Sequence, residues 1–422
     1  MQDDKPAAGP DAVTPPSPPP PPASRTIAGF PANVVALGLV SFFTDISSEM
    51  LVPVMPLFIT ATLGASVASL GLIEGVAECT ASALRVISGR VSDRLGHRKP
   101  FLTVGYGLSG VCKAAMAAAA TWPALLGLRF GDRVGKALRN PPRDALIADS
   151  TPKHQLGRSF GLHRAMDTFG AALGPLVTWW LLGRWGHLGA EGYRRIFLLS
   201  AVPSAIAVAV LLLLVRAPRI VAAARAAVAV PTTPLGPAFR RFLAVDVVFQ
   251  LGNSSNAFLL LRAQQTGFDA GQVALVYLGY NLLAAALSLP LGRLADRVGR
   301  RPLLLAGYLF YALAYGAAAF SPTRAGTLAA WALLALHTSL SEGQARSLIA
   351  ELVPRERRAT AFGAYHGAVG AALLPASLAA GVLWERVGPQ APFALGATLA
   401  IAAAALFAML LPVAAERETR HA

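Results

Sequence analysis

Long apolar runs separated by short polar stretches fill the chain from about residue 30 to residue 413. Each run holds about 20 residues, the number that an α-helix needs to cross the hydrocarbon core of a bilayer. The pattern therefore predicts about twelve membrane-spanning helices, six in each half of the chain. The predicted spans are 33–62, 67–89, 100–120, 122–147, 158–182 and 193–215, then 240–262, 270–291, 302–320, 325–349, 359–383 and 390–413.

Two short basic turns interrupt the apolar runs at matching places. The first runs from Gly89 to Lys99 and the second from Gly292 to Arg301, and both read Gly-Arg-x-x-Asp-Arg-x-Gly before further basic residues. Glycine permits a tight reversal of the chain, and the arginines stay with water and lipid headgroups. Two copies of one such turn indicate a duplicated membrane protein.

Further matches support the duplication. Residues 147–152 (Ile-Ala-Asp-Ser-Thr-Pro) correspond to residues 349–354 (Ile-Ala-Glu-Leu-Val-Pro), and Phe160-Gly161 corresponds to Phe362-Gly363 at the same offset. Because each half has six spans, the repeats have parallel topology, with an axis along the membrane normal. The expected domains are a disordered proline-rich cytoplasmic tail (1–28), a six-helix bundle (29–215), a cytoplasmic linker (216–238), a second bundle (239–413) and a cytoplasmic tail (414–422).

Composition agrees with an integral membrane protein. Hydrophobic residues make up 55% of the 422 residues and charged residues only 14%, against about 25% in a soluble protein. The net charge of +15 lies in alternate turns, which predicts cytoplasmic termini and a multi-pass protein of the bacterial cytoplasmic (inner) membrane, with no nucleic-acid partner. Cys79 and Cys112 lie inside apolar runs, so we interpret them as packing residues and expect no metal site.

The turns and several helix motifs resemble those of the major facilitator superfamily. Gly89–Lys99 is similar to its loop 2–3 signature, and Gly292–Arg301 is similar to the loop 8–9 copy. Arg129, followed by Arg133 and Gly135, resembles the fourth-helix arginine motif. The resemblance implies an all-α membrane fold of twelve transmembrane helices in two pseudo-symmetric six-helix bundles. It also implies a cytoplasmic gate formed by Gly89, Asp93, Arg94, Gly96, Arg98, Gly292, Asp296 and Arg297.

The fifth predicted helix resembles the motif associated with antiporters. Gly161, Gly170 and Gly174-Pro175 match its spacing, whereas Thr178-Trp179 replaces the usual terminal glycine pair. Phe42–Met50 and Leu251–Phe258 resemble a prokaryotic branch of the superfamily that is largely uncharacterised.

Ionisable side chains within the spans are the candidate functional groups, because a charge at bilayer depth is costly unless it faces protein or water. Asp45 and Glu49 lie one turn apart on one face of the first helix. Carboxylates this close titrate as a coupled pair, which suits a proton site or a pair of cation ligands. The structural alternative is that neighbouring arginines neutralise them and lock helices together.

Other charged groups fall on the second, fourth and fifth helices. Arg129 is expected to face inward, either toward an anionic substrate or toward Asp45 or Glu49. His163 and Asp167 share a helix face and form either a pH-sensitive pair or a packing contact. The remaining first-half candidates for coupling or substrate binding are Glu78, Asp132, Arg133 and Arg164.

The second half offers mainly neutral polar groups. Glu342 and Arg346 have the spacing of an internal salt bridge, for which a structural role is the favoured interpretation. The candidate cavity residues of this half are Gln250, Asn253, Asn256, Tyr277, Asn281, Glu342 and Arg346.

These observations predict a monomeric secondary transporter of a small molecule, most simply a proton-coupled exporter working by alternating access. The alternatives are a divalent-cation exporter and a transport-inactive sensor or scaffold with the same fold. Neither a nucleophile–base constellation nor a metal-ligand spacing occurs in the sequence, so we expect no enzymatic activity and no cofactor.

Overall fold

The computed structural model describes residues 26–95, 98–152, 155–216, 235–354 and 357–411. A two-stranded antiparallel hairpin, β1 (Thr26–Ile27) and β2 (Phe30–Pro31), precedes the first helix. The helices are α1 Ala32–Glu49, α2 Met55–Leu57, α3 Val67–Leu95, α4 Arg98–Met116, α5 Trp122–Asp149, α6 Leu156–Trp185, α7 Ala190–Leu214, α8 Pro237–Gly252, α9 Asn256–Gln265, α10 Ala270–Val298, α11 Arg300–Phe320, α12 Arg324–Leu352, α13 Arg358–Arg386 and α14 Ala391–Leu410.

Twelve membrane segments result when α1 is joined with α2 and α8 with α9. Six helices of the described residues are long and apolar enough, by length and composition, to cross a membrane. They are Val67–Arg85, Ala190–Leu214, Ala270–Ala295, Arg300–Phe320, Thr360–Arg386 and Ala391–Leu410. The all-α fold of two six-helix bundles is confirmed.

The first and seventh membrane segments are broken, whereas the apolar pattern predicts continuous helices. The break after Glu49 contains Pro53, which has no backbone N–H to donate within a helix. In the other half the break covers residues 253–255, and the hydroxyl of Ser255 accepts a hydrogen bond from the backbone N–H of Ala257 at the start of α9. Both breaks fall beside polar residues in the middle of a span.

Aromatic packing dominates the core of the second half. Tyr308, Tyr311 and Tyr315 follow one another at helical spacing on α11 and are almost fully buried. The rings of Tyr311 and Tyr315 stack with centroids 4.1 Å apart, and Phe407 of α14 packs against Tyr308 at 5.9 Å. Each hydroxyl needs a buried partner, so this stripe places polar groups inside the bundle.

The two halves meet along α3 against α13 and along α6 against α10. Glycines permit the first contact, because a Cβ atom on Gly71 would overlap the carbonyl oxygen of Ser377. The backbone N–H of Ala68 donates a hydrogen bond of 2.9 Å to Glu385 at the end of α13. These contacts lie at the end of the bundle opposite the two basic turns.

At the other end, which we call the basic end, each basic turn forms an ion pair with the equivalent helix of its own half. Arg98 at the start of α4 forms an ion pair with Asp149 at the end of α5. Arg300 at the start of α11 forms an ion pair with Glu351 near the end of α12. The two pairs are related by the same residue offset as the sequence repeat, so the duplication includes this contact.

The predicted gate residues lie at the basic end. The backbone of Gly89, Asp93 and Arg94 belongs to the last turns of α3, and Arg297 is exposed near the end of α10. Gly96 lies outside the described residues. The remaining predicted gate positions, Gly292 and Asp296, belong to α10.

Candidate cavity between the two halves

A cavity of about 570 Å³ lies between the two halves. This volume is typical of small-molecule sites. Charged side chains line it from the first half, and polar and aromatic side chains line it mainly from the second. The lining includes Asp45, Ser48, Glu49, Glu74, Glu78, Arg85, Lys113, Arg129, Asp132, Arg133 and Lys136, and from the second half Asp246, Gln250, Asn253, Asn256, Tyr277, Tyr280, Tyr308, Tyr311, His337, Glu342, Arg346 and His366.

Ion pairs hold α3 against α5 on the first-half wall. Nη2 of Arg129 donates to both carboxylate oxygens of Glu74, at 3.0 and 3.3 Å, and both side chains are only 8% exposed. One turn below, Nη2 of Arg133 lies 3.0 Å from Oε1 of Glu78. Asp132 accepts a hydrogen bond of 2.5 Å from Ser109 of α4. Pairing and hydrogen bonding make these charges tolerable within the membrane, where all but Glu78 are largely buried.

The partner of Arg129 differs from our prediction. We expected Arg129 to face an anionic substrate or to pair with Asp45 or Glu49, but its carboxylate partners are Glu74 and, at 3.8 Å, Asp132. The reason is the depth of α3. Glu74 lies at the same level as Arg129 in the adjacent helix, within hydrogen-bond distance of its guanidinium.

Within the ranges that the structure describes, no arginine forms an ion pair with Asp45 or Glu49 as Arg129 does with Glu74 and Arg133 with Glu78. Glu49 instead accepts a hydrogen bond of 3.0 Å from the hydroxyl of Tyr277, which belongs to α10 of the other half. Both carboxylates line the cavity. Proton uptake by this pair can thus alter a contact between the halves.

The glycines of α6 place these carboxylates. A Cβ atom on Gly170 would lie 3.2 Å from Cβ of Asp45, and one on Gly174 would lie 2.6 Å from Cβ of Glu49. Only glycine lets α6 approach α1 this closely. The glycine pattern that resembles an antiporter motif is thus in direct contact with the two candidate coupling residues.

A lysine that the sequence analysis missed lies behind them. Lys113 of α4 is 1% exposed, and its Nζ donates hydrogen bonds of 3.0 Å to the hydroxyls of both Ser47 and Ser48. Lys113 could have been found from the sequence, because any ionisable side chain inside an apolar run is a functional candidate. Lys136, which also lines the cavity, carries the same signal.

In the second half a buried carboxylate organises a neutral network. Asp246 is 3% exposed and accepts hydrogen bonds from Tyr308 at 3.0 Å and from the amide of Gln250 at 3.3 Å. Asn253 donates to Gln250 at 2.8 Å and accepts from Tyr311 at 3.2 Å. The predicted cavity residues Gln250 and Asn253 therefore belong to one hydrogen-bond network, held by the tyrosines of α11.

The salt bridge that we expected between Glu342 and Arg346 does not form in the described part of the chain. Both side chains are exposed to the cavity and neither has an ion-pair partner there. Helical spacing brings two side chains to one face, but it does not by itself bring their charged groups within ion-pair distance.

Three candidates on the fifth segment lie outside the cavity lining. His163 is buried, and its Nε2 lies 2.9 Å from Oγ of Ser41 on α1, while Nδ1 lies 3.6 Å from Asp167. Arg164 is exposed. Asn281 is also absent from the lining, although Tyr277 one turn earlier belongs to it.

Comparison with known proteins agrees with the fold. The family model described as Major Facilitator Superfamily matches residues 37–261 and 242–422. The chain is 32% identical over 375 residues to the uncharacterized MFS-type transporter MJ1317 of Methanocaldococcus jannaschii, covering 87% of this chain and 92% of that protein. It is 31% identical to the multidrug resistance protein MdtH of Yersinia pestis over 150 residues, 35% of this chain and 37% of that one.

Among solved structures, a mutant of the nucleoside transporter NupG superposes with a TM-score of 0.74 at 15% identity, over 90% of this chain and 99% of that chain. Identity this low shows likeness of fold alone. The family match over nearly the whole chain, the full-length relative and the two bundles around a polar cavity lead to one assignment: the chain belongs to the major facilitator superfamily of membrane transporters.

Proposed function

We propose that this transporter exports a small molecule in exchange for protons, by alternating access of the cavity to the two sides of the membrane. The observation that carries the proposal is the position of Glu49. Its carboxylate lies beside Asp45 in the cavity and accepts the hydrogen bond from Tyr277 of the opposite half, and no arginine in the described part of the chain lies within 4 Å of it.

Two negative charges this close in a low-dielectric cavity resist coexistence, so one proton is shared between them. A protonated Glu49 is a weaker acceptor for the Tyr277 hydroxyl than a carboxylate. Loss of that hydrogen bond weakens one connection between the halves. Protonation and the relative position of the halves are in this way linked thermodynamically.

Export, rather than uptake, is supported by two observations. The glycine pattern of α6 resembles an antiporter motif and packs directly against Asp45 and Glu49. The partial match to MdtH, a protein named for multidrug resistance, points in the same direction.

The test uses purified protein in proteoliposomes. A ligand is first found by its effect on the melting temperature in a library of metabolites and drugs, because ligands that bind the folded state stabilise it. Uphill transport of that ligand is then driven by an imposed pH gradient. Glu49→Gln and Asp45→Asn should abolish uphill transport and retain ligand binding in at least one case.

Glu191→Gln is the matched control, since Glu191 is exposed at the start of α7 and its ion-pair partner among the described residues is Arg195 of the same helix. It should transport as the parent protein does. Full uphill transport with unchanged pH dependence in both Asp45→Asn and Glu49→Gln would overturn the proposal.

A further inference from the structure

Three basic side chains line the cavity, and none of them forms an ion pair with an acidic group among the described residues. They are Arg85 of α3, in the first half, and Arg346 of α12 and His366 of α13, in the second; all three line the cavity. The charges of Arg85 and Arg346 act on one another and on His366, so the three groups are electrostatic neighbours.

The carboxylates near Arg85 are already engaged. Glu78 and Asp144 are the acidic groups whose charges act on Arg85. Glu78 lies 3.0 Å from Nη2 of Arg133, and Asp144 lies 3.0 Å from Nη2 of Arg143. Neither carboxylate is within ion-pair distance of Arg85, and Nε of Arg85 is buried with no hydrogen-bond partner.

The guanidinium of Arg346 has no ion pair or hydrogen bond among the described residues either. Glu342, one turn earlier on α12, is the nearest acidic group in sequence and is not within ion-pair distance of it; the charge of Glu342 acts on Tyr280 and Tyr365. A buried donor without a partner is costly, as at Nε of Arg85, whereas the exposed guanidinium of Arg346 leaves its donors open to an anion in the cavity.

We propose that Arg85, Arg346 and His366 form an oxyanion-binding subsite, and that the transported molecule carries a carboxylate or phosphate group. The identification of the molecule rests on the proposed transport function; the subsite itself does not. Guanidinium groups present a planar fork of donors that matches both oxyanions, and the imidazole supplies a further N–H. The cavity leaves the rest of the molecule beside the neutral network around Gln250 and Asn253.

The subsite spans the two halves, which gives it a second consequence. Two like charges, one on each half, repel when the cavity closes around them. A bound oxyanion removes this repulsion and attracts both arginines. The anion therefore binds more tightly to the closed arrangement, and this difference in affinity is what a substrate needs to drive closure.

The test measures the local electrostatic potential without any transport. Cys79 and Cys112 are replaced by Ser and Ala, and a single thiol is introduced by Val369→Cys, at a position that lines the cavity one turn beyond His366. The thiol is treated with two methanethiosulfonate reagents of similar size, one bearing a sulfonate and one bearing a trimethylammonium group. The rate constant of the sulfonate reagent is divided by that of the trimethylammonium reagent, and this ratio is divided by the same ratio for a free thiol in solution. A normalised ratio above one reports a positive potential at the thiol.

We expect the normalised ratio to favour the sulfonate reagent by about tenfold or more, because two arginine charges line the same cavity as the thiol. Arg85→Gln and Arg346→Gln should each reduce it several-fold, whereas Arg85→Lys should retain it. Arg184→Gln is the control, because Arg184 stacks on Trp180 at 4.3 Å outside the cavity, and it should leave the ratio unchanged.

Inorganic phosphate and acetate, added at matched ionic strength, identify the oxyanion. At least one should slow the labelling, and the protection should disappear in the Arg85→Gln/Arg346→Gln double variant. A ratio near one, a ratio unaffected by either glutamine variant, no reaction of the thiol with either reagent, or protection by neither anion would overturn the subsite. A positive subsite in a protein that fails the pH-gradient test would instead overturn proton-coupled export alone.

Discussion

The hydroxyl of Tyr277 on α10 donates a hydrogen bond of 3.0 Å to Oε2 of Glu49 on α1, across the cavity between the two halves. The donor belongs to the half whose cavity lining is mostly neutral, and the acceptor belongs to the half that holds most of the charges. A change in the charge of Glu49 therefore alters a hydrogen bond to the other half of the protein.

Removing the donor tests this contact. Tyr277→Phe keeps the ring that packs against Tyr280 at 5.9 Å and Trp331 at 6.0 Å, but removes the hydrogen bond. We expect a loss of about 1.5–3 kcal/mol in the free energy of unfolding, typical of a hydrogen bond to a charged group. The pH dependence of transport should also shift.

Tyr280→Phe is the control for that prediction, since the hydroxyl of Tyr280 bonds Thr338 within its own half at 3.0 Å. It should leave the pH dependence of transport unchanged. Identical pH profiles for both variants would show that the Tyr277 contact plays no part in coupling.

The Arg129–Glu74 pair should be structural. Glu74→Gln leaves the buried guanidinium with only Asp132 at 3.8 Å, and breaking a buried ion pair from one side costs about 3–5 kcal/mol. The double variant Glu74→Leu/Arg129→Met removes both charges and should recover most of the loss. Unfolding of the detergent-solubilised protein measures both; a stable single variant would contradict the assignment.

Close packing at Gly174 should position Glu49. Gly174→Ala adds a methyl group 2.6 Å from Cβ of Glu49, and overpacking of this kind costs about 1–3 kcal/mol. Gly161→Ala on the same helix meets no atom within 4 Å and is the matched control. We expect Gly174→Ala to impair uphill transport more than Gly161→Ala, and equal transport by the two variants would argue against the contact.

The basic turn of the first half is predicted to act as a latch. Asp93→Asn should leave membrane insertion nearly intact because Asp93 lies at the end of α3, at the membrane edge. Transport should fall sharply in proteoliposomes containing equal amounts of protein. Normal transport by Asp93→Asn would show that the turn determines membrane topology and does not act as a latch.

The orientation of the chain in the membrane can be measured directly. The alternation of basic turns predicts that a reporter fused after Ala422 or inserted near Arg225 is cytoplasmic, whereas one near Gly189 lies on the opposite side of the membrane. A reporter after Ala422 that is found outside the cytoplasm would reverse the orientation.

The number of spans, the duplication and the family could be predicted from the sequence because each depends on local properties. Run length sets whether a helix crosses the bilayer, and the two basic turns repeat in the primary sequence. The ion pairs Arg98–Asp149 and Arg300–Glu351 follow the same repeat. The cavity residues Asp45 and Glu49 were also recognisable, because a carboxylate in an apolar run is unusual wherever it lies.

Partner choice, by contrast, depended on how helices distant in the chain pack together. The spacing of Glu342 and Arg346 suggested a pair that does not form, while Arg129 pairs with Glu74, 55 positions away in sequence. Helical periodicity specifies the face on which a side chain lies, but not the depth or rotation of the neighbouring helix. The contact of Tyr277 with Glu49 and the meeting of Arg85 with Arg346 arise only when the two halves come together, and only the tertiary structure decided them.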